Sequence, residues 1–143
     1  MLKNFKDMKG VIAIATTPFD NENLIDFDSV DRLSNYYLES EVSGVTILGV
    51  MGEAHKLNIE EQKLLIKRYI NKLSGKVPVI VGVSNAGLDN LELLSKFSMD
   101  SGASGVMVSG NNGLKNDDQI KFYFNQVIDR TKDIPICLQD YPP

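Results

Sequence analysis

Short apolar runs, rich in β-branched residues, recur along the chain at Val11–Ala15, Val45–Leu48, Val79–Val83, Val106–Val108 and Ile134–Leu138. Their starts lie roughly 30 residues apart, the length of a βα unit. Between them the apolar positions change to helical spacing. In Asn116–Arg130, Ile120, Phe124, Val127 and Ile128 fall at i, i+4, i+7 and i+8, one stripe of a helix that Asn116 can cap and whose positive end suits Asp117 and Asp118. Ile59–Leu73 repeats the pattern with Leu65, Ile66, Tyr69, Ile70 and Leu73; Asn58 and Glu61 have capping-box spacing, and Gly75 stops the helix. Val30–Leu38 and Leu88–Met99 read as shorter amphipathic helices, the second ending near Gly102. The predicted order is β-α-β-α-β-α-β-α-β.

Strands that are continuously apolar, rather than alternating, belong in a parallel sheet buried on both faces, with helices as right-handed crossovers. Two α/β architectures share this pattern: an open flavodoxin-like sheet, and the first part of a (βα)8 TIM barrel. The chain ends at Tyr141-Pro142-Pro143, directly after the fifth run and without a fifth helix to cover it. This favours the barrel, with residues 1–143 as its amino-terminal portion: the first four and a half parallel βα units of one catalytic domain.

With 43% apolar and 24% charged residues, the composition is that of a soluble globular chain. The formal charge of −4 supplies no basic stripe for nucleic acid. The Val11–Ala15 run is too short for a signal-peptide core or a membrane span, which predicts a cytoplasmic protein with no membrane partner. The single cysteine, Cys137, sits in a strand run and reads as a buried packing thiol. His55 is the only histidine, and no zinc spacing, Walker loop or GxGxxG pattern appears, so neither a metal nor another cofactor is expected.

The candidate chemistry concentrates in Gly44–Glu53, GVTILGVMGE, where a strand runs into a glycine-bracketed loop ahead of a capped helix. Such a loop lies at the carboxyl end of a strand, close to backbone N–H groups, where α/β enzymes hold anionic substrate groups. Gly49, Val50, Met51, Gly52 and Glu53 are therefore the candidate substrate-binding residues. Glu53 has the chemistry of a general base, but in so tight a loop its carboxylate is expected to accept backbone N–H bonds. His55 reads as a loop residue, and Lys56 and Lys115 as solvated loop charges. Ser84-Asn85 and Ser109–Gly113 are polar strand-end loops within reach of a substrate.

Taken together, VIAIATTPFD, SGVTILGVMGEAHKLNIEEQ, VPVIVGVS and IPICLQDYPP resemble the dihydrodipicolinate synthase and N-acetylneuraminate lyase family of Schiff-base aldolases and lyases, over essentially the whole chain. The resemblance implies a (βα)8 barrel that assembles as a homotetramer of paired dimers and acts on pyruvate or a related 2-oxo acid without a metal. It also implies a lysine on the sixth strand as nucleophile. None of the five strand runs contains a lysine, so the chain is expected to lack the nucleophile and to be inactive alone.

The chain departs from the family pattern at several positions. Val50 and Met51 stand where the family has two hydroxyl residues, Asn111 and Asn112 where it has a tyrosine pair, and Gln139 where it has a tyrosine that relays protons. An amide cannot transfer protons near neutral pH but can donate a hydrogen bond to a carbonyl oxygen. Tyr141 lies two residues on, about 6–7 Å further along the same strand face. Gln139 and Tyr141 are therefore the catalytic candidates, and QDYPP is read as marking a branch of altered substrate choice. Two other readings stay open: a small-carboxylate binding module without covalent chemistry, and a half-barrel that pairs with another copy or a complementary half, since its outer strands would otherwise be bare edges.

Overall fold

The computed structural model describes residues 8–111 and 113–140. Strands β1 (Ile12–Ile14), β2 (Gly44–Ile47), β3 (Val79–Gly82), β4 (Gly105–Ser109) and β5 (Ile136–Gln139) alternate with helices α1 (Phe27–Glu39), α2 (Ile59–Leu73), α3 (Leu88–Ser101) and α4 (Asp117–Thr131). Each strand pairs in parallel with its successor, giving the sheet order β1-β2-β3-β4-β5. A flavodoxin-like sheet reverses direction at a switch point and carries helices on both faces. This one never reverses, so right-handed crossovers put every helix on one side. It is a half-barrel of parallel βα units, the architecture favoured over the open sheet.

Strand register separates the two faces. Val45, Ile47, Val79, Val81, Val106 and Val108 belong to the core formed with the helices. Their neighbours Thr46, Ile80 and Met107 are also buried but turn to the inner, concave face, in line with Ile14, Gly82, Ser109 and Gln139. Burial on both faces, expected for all strands, holds for β2, β3 and β4. It fails for β1 and β5, where Ile14 is 39% and Leu138 61% exposed. Each of these outer strands has a neighbour on one side only among the described residues, so half of its surface has nothing to pack against. For the same reason Cys137, expected to be buried, is only half-buried.

Helix ends follow the capping chemistry. Asn58 accepts from the Glu61 N–H at 2.9 Å while the Glu61 carboxylate accepts from the Asn58 N–H at 2.8 Å, completing the capping box. Asn116 caps α4 through the Gln119 N–H, and Gly102, at φ +104°, closes α3 in the left-handed region. α1 starts ahead of its apolar period, at Phe27, because Asp26 accepts from the Ser29 N–H. α4 is rotated from the expected stripe: Val127 and Thr131 are buried and Phe124 half-buried, whereas Ile120 and Ile128 are exposed. Tyr123 packs beside Phe124, ring edge to ring face at 5.2 Å, and joins the core in their place.

Because the Asn58 cap satisfies an otherwise orphaned N–H and lines neither cavity at the strand ends, Asn58→Ala should lower stability by about 1 kcal/mol in urea unfolding, with Asn58→Asp close to the parent. Equal midpoints for the alanine variant and the parent would contradict the role given to the cap.

Candidate functional site

The chain leaves β2 through Leu48, whose φ of +55° is left-handed. For a branched residue this costs about 1–2 kcal/mol. Burial of the same side chain, 5% exposed, returns about 1.5–3 kcal/mol, so the conformation is sustained. It turns the Leu48–Gly49 peptide across the end of β3, where a Cβ on Gly82 would stand 2.1 Å from the Leu48 carbonyl oxygen. Only the absence of a side chain at Gly82 lets the loop cross there.

Beyond Gly49 come two single 3-10 turns, Val50–Gly52 and Ala54–Lys56. The Gly52 N–H donates to the Gly49 carbonyl at 3.0 Å and the Glu53 N–H to that of Val50 at 3.1 Å. Among the described residues this leaves the N–H groups of Val50 and Met51 as the open donors at the start of the turn. The loop is anchored from below by the Thr17-Pro18-Phe19 segment. Thr17 Oγ1 is buried and donates to the Gly52 carbonyl at 2.6 Å, and the buried Tyr69 hydroxyl donates to the Thr16 carbonyl at 3.2 Å, tying this segment to α2. Burial pushes the Tyr69 phenol well above its ordinary range.

The strand ends enclose a cleft of about 130 Å³. Leu48, Gly49 and Val50 line it from the loop, Gly82 and Ser84 from β3, Met107 and Ser109 from β4, and Gln139 from β5, with Ala54 and His55 closing the side. A second cavity of about 370 Å³ continues from it past Asn85, Asn111 and Tyr123. Of the sequence candidates, Gly49, Val50 and Gln139 meet in the cleft. Met51, Gly52 and Glu53 lie outside its lining. Tyr141 and Asn112 lie outside the described residues.

Glu53 does not take the expected backbone N–H bonds. It sits in the left-handed region at φ +52°, and its carboxylate pairs with Lys56. The Lys56 ammonium, through its hydrogen bond first and its charge second, holds the Glu53 carboxyl below the ordinary range. His55, read as an ordinary loop residue, lines both cavities. Tyr123 reaches the second from α4; sequence reasoning missed it because it lies off the apolar stripe that defined that helix. A larger cavity of about 520 Å³, walled by Arg130, Glu92 and Lys96, opens between α3 and α4 at the opposite end of the strands. Parallel βα proteins assemble their chemistry at the carboxyl ends, so the smaller cleft is the candidate site. Among the described residues, no three His, Cys, Asp or Glu side chains gather where they could hold a metal ion, and no helix is long and apolar enough to cross a membrane.

A half-barrel whose glycine-bracketed loop and inward strand ends converge on one small cleft defines a βα-barrel protein with its candidate site at the carboxyl face. The dihydrodipicolinate synthetase family model matches residues 7–143, and the chain belongs to that family. The 4-hydroxy-tetrahydrodipicolinate synthase of Methanocaldococcus jannaschii is 30% identical over 135 residues, covering 94% of this chain and 46% of the relative. The corresponding protein of Kosmotoga olearia is 38% identical over 101 residues, 70% of this chain and 34% of the relative. Among solved structures, dihydrodipicolinate synthase from Rhodopseudomonas palustris superposes with a TM-score of 0.93 at 42% identity, covering 99% of this chain and 47% of that one. YagE from E. coli K12, solved in complex with pyruvate, gives 0.85 at 27% identity, with 93% and 45% covered. The chain thus spans about half the length, or less, of the relatives it matches.

Two outcomes test this geometry. Gly82→Ala should displace the Leu48–Gly49 peptide, cost about 1–3 kcal/mol as an overpacked site, and shift the Gly49–Gly52 amide resonances; a spectrum superposable on the parent would contradict the close approach. Lys56→Met should raise the Glu53 pKa toward the ordinary carboxylate range in a carboxyl ¹³C titration, and an unmoved midpoint would contradict the pairing. Because the folded-state pKa is depressed, the stabilisation from this pair is present above the ordinary carboxylate range and fades as pH falls through the lowered value.

Proposed function

We propose that these residues form the amino-terminal half of a (βα)8 lyase or aldolase of the cytoplasm, homotetrameric when whole, that forms a Schiff base with pyruvate or a related 2-oxo acid. The observation that supports this best is the meeting of Gly49, Val50 and Gln139 in one cleft at the carboxyl ends of the strands. In this reading the substrate carboxylate takes the open Val50 N–H in the cleft, with the open Met51 N–H of the same turn just outside the lining, in place of side-chain hydroxyls. The Gln139 amide donates to an oxygen of the substrate and holds it without exchanging a proton. Proton transfer falls to another group, for which Tyr141 is the candidate.

The covalent step needs an amine. Its nitrogen adds to the ketone carbon, the displaced oxygen leaves as water, and the protonated imine then draws electrons from the neighbouring carbon so that a carbon–carbon bond can form or break. The five strands offer no lysine for this. Lys56, in the loop between β2 and α2, is engaged with Glu53. The amine is therefore assigned to residues outside this chain, and the chain alone carries recognition without turnover.

The exposed inner side chain of Ile14 and the outward Leu138 favour a second reading, a half-barrel that works only once paired with another copy or a complementary half. It predicts concentration-dependent association in sedimentation; a monodisperse folded monomer would contradict it. For the first reading, titration of the ¹⁵N-labelled chain with pyruvate should move the amides of Gly49–Gly52 and the side-chain amide of Gln139. No movement at these groups at saturating pyruvate would count against the site.

A further inference from the structure

A buried side chain of α2 holds the turn that carries His55. Gln62 is 7% exposed, and its amide nitrogen Nε2 donates at 3.0 Å to the Ala54 carbonyl and at 3.0 Å to the Leu57 carbonyl, one on either side of His55. Within the turn the Lys56 N–H donates to the Glu53 carbonyl at 2.8 Å and the Leu57 N–H to that of Ala54 at 3.2 Å. The buried Leu57 side chain roots the turn in the core. An amide with both N–H protons committed to main-chain carbonyls keeps that main chain in place. His55 is therefore an exposed side chain on a fixed stretch of backbone, and it lines both the cleft and the cavity beyond it, as Val50 does.

Imidazole changes charge between about pH 5 and 8. The groups around His55 keep theirs across that range. On its own turn, Glu53 is paired with Lys56, whose hydrogen bond and charge, followed last by the charge of His55, hold the Glu53 carboxyl below the ordinary range. From α4, Tyr123 lines the second cavity with its phenol pushed up by burial, and so stays neutral. Ser84 and Asn85 after β3, Ser109 and Asn111 at the end of β4, and Gln139 on β5 bring only hydroxyls and amides. A proton on His55 thus places a positive charge on the wall that the two cavities share, beside the turn whose Val50 N–H is open. A backbone donor and a cation side by side suit one ligand group, a carboxylate.

We propose that His55 is a binding residue for the substrate carboxylate: its imidazolium completes the site begun by the Val50 turn, so that the chain takes up a 2-oxo acid more tightly as the medium becomes more acidic. This rests on the lyase reading for the identity of the ligand, and adds to it a charged partner for the carboxylate.

Pyruvate stays an anion near neutral pH, so the pH dependence of its binding reports on the protein. Titrated into the ¹⁵N-labelled chain, it should bind about threefold more tightly at about pH 6 than at about pH 8, the effect of one exposed ion pair. His55→Gln should show the weaker affinity at both pH values, and His55→Lys, charged at both, the stronger. Equal affinities at the two pH values in the parent, which need no variant to measure, or a pH dependence that survives in His55→Gln would overturn the proposal. Propionate, a carboxylate without the ketone, separates the two claims. Equal, pH-dependent binding of propionate and pyruvate supports the His55 site and counts against the 2-oxo acid reading. Pyruvate binding that moves the Gly49–Gly52 amides with no pH dependence sinks the His55 site and spares that reading. Binding of neither acid at either pH sinks both.

Discussion

Sequential parallel pairing is the constraint from which the rest follows. Because β1 to β5 lie side by side in chain order, right-handed crossovers leave all four helices on one face. Side chains therefore sort by strand parity. Val45, Ile47, Val79, Val81, Val106 and Val108 supply the helix-packed core, and the alternate positions are left to build an inner face. The carboxyl ends of the strands come together as a rim, and the loops that leave them have one place to converge. Had the order reversed at any strand, Gln139 would not share a cleft with Gly49.

Within that rim, one missing side chain shapes the site. The left-handed turn at Leu48 carries its peptide over β3, and Gly82 makes room for it. Thr17 and Tyr69 then fix the loop from beneath through buried hydrogen bonds. The shape of the loop is a property of backbone, held by residues that do not line the cleft. This is compatible with apolar Val50 and Met51 in the loop, since a carboxylate can be met by N–H groups whatever the side chains.

Much of this was legible in the sequence because it depends on local chemistry. The Asn58–Glu61 capping box, the Asn116 cap, the stop at Gly102 and the thirty-residue rhythm of strands were readable from residue type and spacing alone. Gly49, Val50 and Gln139 could be placed at the carboxyl ends of the strands because a loop after a strand, and a strand end, have predictable positions in a βα unit. What escaped depends on tertiary neighbours. The α4 stripe was misplaced because periodicity gives an apolar arc but not which edge of it meets the sheet; Tyr123 and Thr131 displace Ile120 and Ile128. Burial of β1, β5 and Cys137 was overestimated because a run of apolar residues does not reveal whether a strand has one neighbour or two. Glu53 was given backbone partners because the left-handed turn that swings it toward Lys56 has no composition signal. His55 was set aside for want of clustered ligands, although its place beside the loop was enough to bring it to the rim.

In this account recognition and covalent chemistry are divided: the half-barrel begins the carboxylate pocket, and the reactive amine lies elsewhere. The most direct test is to incubate the chain with pyruvate and borohydride and weigh it intact. The account predicts an unchanged mass. A trapped pyruvyl adduct on any lysine of these 143 residues would contradict it.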